Sequence, residues 1–262
     1  MLPLAAEKFP ATPDALAAAL TGGFAARGVA VPGVRVEGAA LAALTALRIE
    51  LTGARFTRGF RVAATPAAES GAVVAERLEI VGAPLDFEGT PLEVRVEAER
   101  AELGFAGQPA GGALVLTGAA GGSAMLSVRR EALEALLHRL ATQAAEKQGV
   151  EVKKTKLELT ARGERGLAFR CDVTAKMFVM TADLSLSGNL DVDDQLNARL
   201  SGLTLGGDAM ITKLAAGFVR PQLDKLEGRA IPLLALAPGG LKMRDVEISV
   251  RDGLEVRAKF GL

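Results

Sequence analysis

The sequence predicts an α+β fold in which a long, strongly curved antiparallel sheet wraps around long helices. Much of the chain alternates apolar and polar residues at period two, the pattern of strands with one buried face. Three separate segments repeat apolar residues at helical spacing instead. The outward phases of the strands are charged, which fits antiparallel sheet with one wet side. Long strands interrupted by a few long helices make an α+β domain.

Taken in order, Thr12 is placed to cap a first helix with Pro13 at its first position. That helix runs to about Arg27, before Gly28, and Gly22-Gly23 weaken its centre. Strand runs follow at Leu47/Ile49/Leu51 and Leu78/Ile80. The clearest alternation sets Leu92, Val94, Val96 and Ala98 against Glu93, Arg95, Glu97 and Glu99. The apolar phase then moves to Ala101, Leu103 and Phe105, which places a bulge or bend near Arg100. Residues 107–122, rich in Gly and Ala, read as an internal boundary or flexible connection.

A second helix is expected where Leu133, Leu136, Leu137, Leu140, Ala141 and Ala144 recur, ending at Gly149. Strands resume with Leu167/Phe169/Cys171/Val173. A third helix starts after Gly206-Gly207 with Asp208 as its cap. It carries Met210, Ile211, Leu214, Phe218 and Leu226, ends by Gly228, and is kinked or split at Pro221. Two final strands, Val246/Ile248/Val250 and Leu254/Val256/Ala258/Phe260, form a closing hairpin. A three-residue Arg251-Asp252-Gly253 loop pairs Val250 with Leu254 and keeps every apolar residue on one face. That requires a type I turn with Gly253 in the left-handed position. The residues after the first two helices resemble each other, Ile49-Glu50-Leu51-Thr52 against Leu157-Glu158-Leu159-Thr160. The chain therefore reads as one elongated domain or as two pseudo-repeats of about 12–122 and 123–262.

Composition narrows the function. The 262 residues carry 31 Lys+Arg and 31 Asp+Glu, a net charge of zero, which argues against a general nucleic-acid binder. Trp and Tyr are absent, removing the usual platforms for stacked bases. One cysteine, Cys171, excludes a disulfide framework within the chain, and one histidine, His138, excludes multi-histidine metal sites. The N-terminus lacks a basic region and is interrupted by Pro3 and Glu7, so it does not read as a signal peptide. As written the chain is expected in the cytoplasm, or in the cell envelope if it is a trimmed form. No window approaches the roughly 20 apolar residues of a membrane span.

Candidate chemistry is thin. No Gly-x-Ser-x-Gly elbow accompanies His138, which reads as a helix-surface residue. Asp191, Asp193 and Asp194 form the densest carboxylate cluster, yet a calcium loop counted from Asp191 would need Gly and Glu where Leu196 and Gly202 stand. The cluster reads as a solvated loop. Gly111-Gly112 and Gly121-Gly122 lack the Gly-Lys-Ser/Thr ending of a phosphate loop and read as turns. The run Lys153-Lys154-Thr155-Lys156 is flanked by Glu151 and Glu158 and reads as a solvated strand face. In Met177-Phe178-Val179-Met180 apolar residues occupy both faces of an expected strand. That stretch is covered by a helix, or it is a rim that meets lipid or a partner surface.

Residues 125 to 262 resemble the LmeA-like phospholipid-binding family, related to the tubular lipid-binding (BPI-like) superfamily. The resemblance rests on Ser127 leading into an amphipathic helix, Val150-Glu151-Val152, paired long strands and a Gly188-Asn189 turn. A further helix, Ile231-Pro232-Leu233, Gly240-Leu241-Lys242-Met243-Arg244-Asp245-Val246 and the Asp252-Gly253-Leu254 hairpin complete it. It implies a curved sheet around a helix, with acyl chains held in an apolar tunnel. The expected function is thus a lipid-binding protein, not an enzyme, that shelters phospholipid or fatty acyl chains and serves lipid transfer. The residues expected to line the ligand are Leu136, Leu140, Phe169, Phe178, Met180, Leu184, Met210, Leu214, Phe218 and Leu236. No cofactor and no metal are expected. The partners are a lipid or other apolar ligand and, transiently, a membrane surface. Burying acyl methylenes, at about 0.8 kcal/mol each, needs no polar motif. The competing expectation is a structural or protein-interaction module with a dry core.

Overall fold

The computed structural model describes residues 1–6, 8–57, 69–108, 111–146, 149–177, 180–207, 220–221, 223–233 and 241–261. In chain order the elements are β1 (Leu2–Leu4), α1 (Pro13–Ala25), β2 (Gly33–Ala40), β3 (Ala43–Glu50), β4 (Arg55–Phe56) and β5 (Glu69–Phe87). There follow β6 (Thr90–Gln108), β7 (Gly111–Gly118), β8 (Gly121–Arg129), α2 (Arg130–Glu146), β9 (Glu151–Ala161) and β10 (Gly166–Met177). The last are β11 (Met180–Val192), β12 (Asn197–Gly207), β13 (Ala230–Pro232), β14 (Lys242–Val250) and β15 (Gly253–Gly261).

Two sheets result. The first runs in the order β14-β15-β8-β6-β5-β3-β2, with β7 on β6, β1 on β7 and β4 on β5. The second runs β13-β12-β11-β10-β9. The chain divides into two compact units: Met1–Ser127 with Leu234–Asp245 and Arg257–Leu262, and Val128–Leu233 with Val246–Val256.

The expected sheet wrapped around long helices is not what forms; the protein is mostly strand, with short helices. Length explains the difference. The 17 residues of α2 span about 26 Å at about 1.5 Å per residue. The 19 residues of β6 span about 63 Å at about 3.3 Å per residue. Neither α1 nor α2 is long enough to serve as an axis for such strands.

Local expectations fare better where the signal is local. In α1 the Thr12 hydroxyl accepts from the Ala15 amide at 3.2 Å, and Gly28 ends the turn at φ +74°. Gly22 and Gly23 have a second role there, because a Cβ on Gly23 would collide with the Pro3 carbonyl. They let β1 cross the helix, with the Ala5 amide donating to the Ala19 carbonyl at 2.8 Å. In β6 the apolar phase does change at Arg100, whose φ is +48°. Before it the strand pairs with β8, after it with β7.

Three expectations are corrected. Residues 107–122 are no loose connection: their described part forms the end of β6, β7 and the start of β8, and the units divide at Ser127/Val128. Glycine is needed there for close packing, since a Cβ on Gly112 would meet Phe105 and one on Gly122 would meet Phe260. Gly188-Asn189 is no turn but lies within β11, opposite Phe169 and Ala168. Gly253 is not left-handed; it opens β15, and its missing side chain admits the Val128 carbonyl.

The first unit closes on a dense core. Leu16, Leu20 and Phe24 of α1 meet Leu44, Leu47 and Ile49 of β3, Leu78 of β5, Leu103 of β6 and Leu114 of β7, all nearly inaccessible to solvent. Burying each such side chain contributes about 1.5–3 kcal/mol.

Candidate functional site

Of the five expected lining residues that are described, the second sheet carries three, Phe169, Met180 and Leu184. Its register gathers one apolar face from alternate residues of four strands. Leu159 stands opposite Phe169, Leu157 opposite Cys171, and Leu167 opposite Leu190. Cys171 stands opposite Leu186, Val173 opposite Leu184, and Leu186 opposite Leu205. The other face is polar: Arg170 and Asp172 pair at 3.0 Å, and the Thr174 hydroxyl donates to Asp183 at 2.6 Å. Such a sheet is amphipathic, as the period-two pattern requires.

Coverage of the apolar face is incomplete. Leu167, Cys171, Ala175 and Ala182 are buried, whereas Leu159, Phe169, Val173, Leu184, Leu186, Leu190, Leu200, Leu203 and Leu205 are half-buried. Burial pushes the Cys171 thiol up from its ordinary value, with the charges of Asp172 and Glu134 adding to it, so the site holds a neutral thiol.

Two bulges shape this face. In β9 the register slips beside Thr174/Ala175, displacing one residue of the lysine run. In β12 it slips at Gly202, which has φ +62°. There the Glu227 carboxylate accepts from the Gly202 amide at 2.8 Å and the Leu203 amide at 2.9 Å. Beside it, a cavity of about 280 Å³ lies between Leu203, Leu205, Leu223 and the charged rim of Arg220, Asp224 and Glu227.

Helix α2 packs along β9 with an unexpected stripe. The Glu134 carboxylate accepts from the Leu157 amide at 2.8 Å, and His138 Nδ1 lies 3.2 Å from the Thr155 hydroxyl. Both contacts come from residues four apart, hence from one helix face. Leu133, Leu136 and Leu137 are only half-buried, and Leu140 is 44% exposed. His138 is therefore half-buried and hydrogen-bonded, not merely a surface residue.

Of the expected lining residues, Phe169 and Leu184 share the sheet face, and Leu136 and Leu140 lie on α2. Met180 opens β11 opposite Met177, the last residue of β10, so the chain reverses between these two. The expected uninterrupted strand through Met177-Phe178-Val179-Met180 is thereby corrected: apolar residues continue on both sides of the reversal, so no polar turn residue marks it. Phe178, Met210, Leu214, Phe218 and Leu236 lie outside the described residues. Missed from the sequence were Leu159, Leu186, Leu190, Leu203 and Leu205. The signal was present in Leu200, Leu203 and Leu205, whose phase slips at Gly202 as that of β6 slips at Arg100.

Most of the remaining polar candidates are held in hydrogen bonds and ion pairs. The Asp193 carboxylate accepts from the Gln195 amide at 3.0 Å and the Asn197 amide at 2.9 Å, tying the β11–β12 turn. Those amides and the Asn197 side chain hold it below its ordinary range. Arg162 pairs with Asp191 at 3.4 Å and Arg165 with Asp194 at 3.1 Å. Lys153 and Lys156 are paired with Glu151 and Glu158 at 2.6 and 2.7 Å. Among the described residues no group of three or more His, Cys, Asp or Glu is placed to hold a metal. None of the described helices is long and apolar enough to cross a membrane. In the first unit, a cavity of about 540 Å³ lies on the solvent face of the sheet among Arg77, Glu79, Arg95, Glu97, Glu99 and Gly121–Ser123.

Comparison with protein-family models, with curated proteins and with solved structures gives no match.

Proposed function

We propose that the second unit binds an apolar ligand of acyl-chain type, a fatty acid or phospholipid tail, against the inner face of β9–β12. One observation carries the reading. Large side chains on that face, Leu159, Phe169, Leu184 and Leu205 among them, stay half-buried, whereas Leu16, Leu47, Ile49 and Leu114 of the first unit are 0% exposed. A face left partly open retains free energy to be gained from an apolar ligand, about 0.8 kcal/mol for each methylene it covers. The neutral Cys171 thiol adds no charge there. The cavity beside Leu203 and Leu205 brings those leucines and Leu223 together with Thr204, Arg220, Asp224 and Glu227, apolar and polar groups that suit the two ends of an amphiphile. The resemblance of residues 125 to 262 to the LmeA-like family supports the same ligand class.

The test is native mass spectrometry and organic extraction of freshly purified protein, followed by titration with a fluorescent fatty acid. Co-purified lipid and saturable binding are expected, with binding lost in Phe169→Glu while the circular dichroism spectrum holds. Protein free of lipid, with no saturable uptake, ends the proposal. A non-enzymatic interaction module is the second reading, favoured by the sealed core of the first unit.

A further inference from the structure

The solvent face of the first unit's sheet carries its charges as a ladder. Glu50, Arg48, Glu79, Arg95 and Glu97 are joined by successive ion pairs of 3.6, 3.3, 3.5 and 2.9 Å across β3, β5 and β6. The ladder fails at β2. There Arg35 stands directly opposite Arg48, like charge against like, and Arg48 already serves two carboxylates. Among the described residues neither Arg35 nor Glu37 forms an ion pair, and both are exposed. Strand β2 also ends the sheet, since among the described strands only β3 pairs with it. Val34 and Val36 point to the core side, so Arg35 and Glu37 lie on the solvent face, beside an outer backbone edge that no described strand pairs.

We propose that β2 pairs antiparallel with β2 of a second copy of this chain, about a two-fold axis at Val36. The sequence Arg35-Val36-Glu37 is its own complement when inverted. Set beside itself end for end, it places each Arg35 opposite Glu37 of the other copy and Val36 opposite Val36. Arg35 then gains the carboxylate that Arg48 denies it, and the charge ladder continues across the axis. An edge guarded by charges of one sign would repel a second copy; this one attracts it. Beyond Glu37 the register slips on both sides of Gly38, whose φ of +140° takes the strand out of line. The pairing is therefore short, and the dimer dissociates on dilution.

Sedimentation velocity on the full chain, over a dilution series and at two salt concentrations, tests this. Expected are a monomer–dimer equilibrium weakened by salt and an about ten-fold loss of dimer affinity in Arg35→Glu or Glu37→Arg, each of which sets like charges opposite one another twice per dimer. The reciprocal double variant, Arg35→Glu with Glu37→Arg, restores the complementarity and with it the dimer. Circular dichroism on each variant checks that the fold persists. A wild type that stays monomeric at every concentration overturns the proposal, as does a dimer indifferent to the single variants or one the double variant fails to restore. None of these readouts depends on lipid binding in the second unit.

Discussion

Single residues show how one side chain can be spent on shape. Asp193 lies in the densest carboxylate cluster, and its oxygens are taken up by the amides of Gln195 and Asn197 and by Arg199 at 3.6 Å. Because these contacts favour the charged form, the folded-state value lies below the ordinary 3.8. A depressed carboxylate contributes stability that is fully present above its ordinary value and lost as the pH falls through the depressed one. Asp193→Asn should therefore be less stable than the parent at neutral pH, with the gap closing below about pH 4. Urea midpoints at pH 7, 4 and 3 measure it, and a gap that widens in acid refutes the assignment. The loop character of this cluster was readable, because the missing calcium ligands are a matter of spacing. The role of Gly253 was not. Its glycine answers to the Val128 carbonyl, far away in sequence, and the local turn pattern gives no hint of that contact.

At the scale of elements, α1 and α2 are both helices of one apolar stripe in sequence and behave differently in place. Both were legible from cap and periodicity. Which stripe faces the sheet was not legible, since α1 seats Leu16 and Leu20 in a sealed core while α2 meets β9 through Glu134 and His138. Leu20→Ala should cost about 2–5 kcal/mol, as a buried leucine leaves a cavity. Leu140→Ala should change stability by less than about 0.5 kcal/mol. Chemical denaturation of the two variants checks the contrast, and equal losses would mean that α2 is as enclosed as α1. The same limit explains the β10–β11 reversal between Met177 and Met180. Apolar residues run through it, so periodicity reads one strand where backbone pairing makes two.

Across the whole molecule, the two units differ in how completely they exclude water. Slow amide exchange reports cooperative burial, so β3 and the middle of β6 should exchange more slowly than β11 and β12 in the protein without ligand. Adding a fatty acid should raise protection in β10–β12 and leave β3 unchanged, because a ligand stabilises the form that binds it. Hydrogen exchange followed by mass spectrometry measures both; uniform protection, or a response confined to the first unit, counts against the proposed site. By itself the sequence determined where strands alternate, where α1 is capped, that β6 changes phase at Arg100, and that multi-histidine and multi-cysteine chemistry is excluded. These are properties of neighbours in the chain. Only the tertiary structure decided that the strands divide between two sheets, that α1 is sealed and α2 half-open, and that Phe169 and Leu184 share a face with Leu159, Leu186 and Leu205. Period-two patterning says which residues seek burial; it carries no information on which strand lies alongside, because that choice is made by contacts between residues distant in the chain.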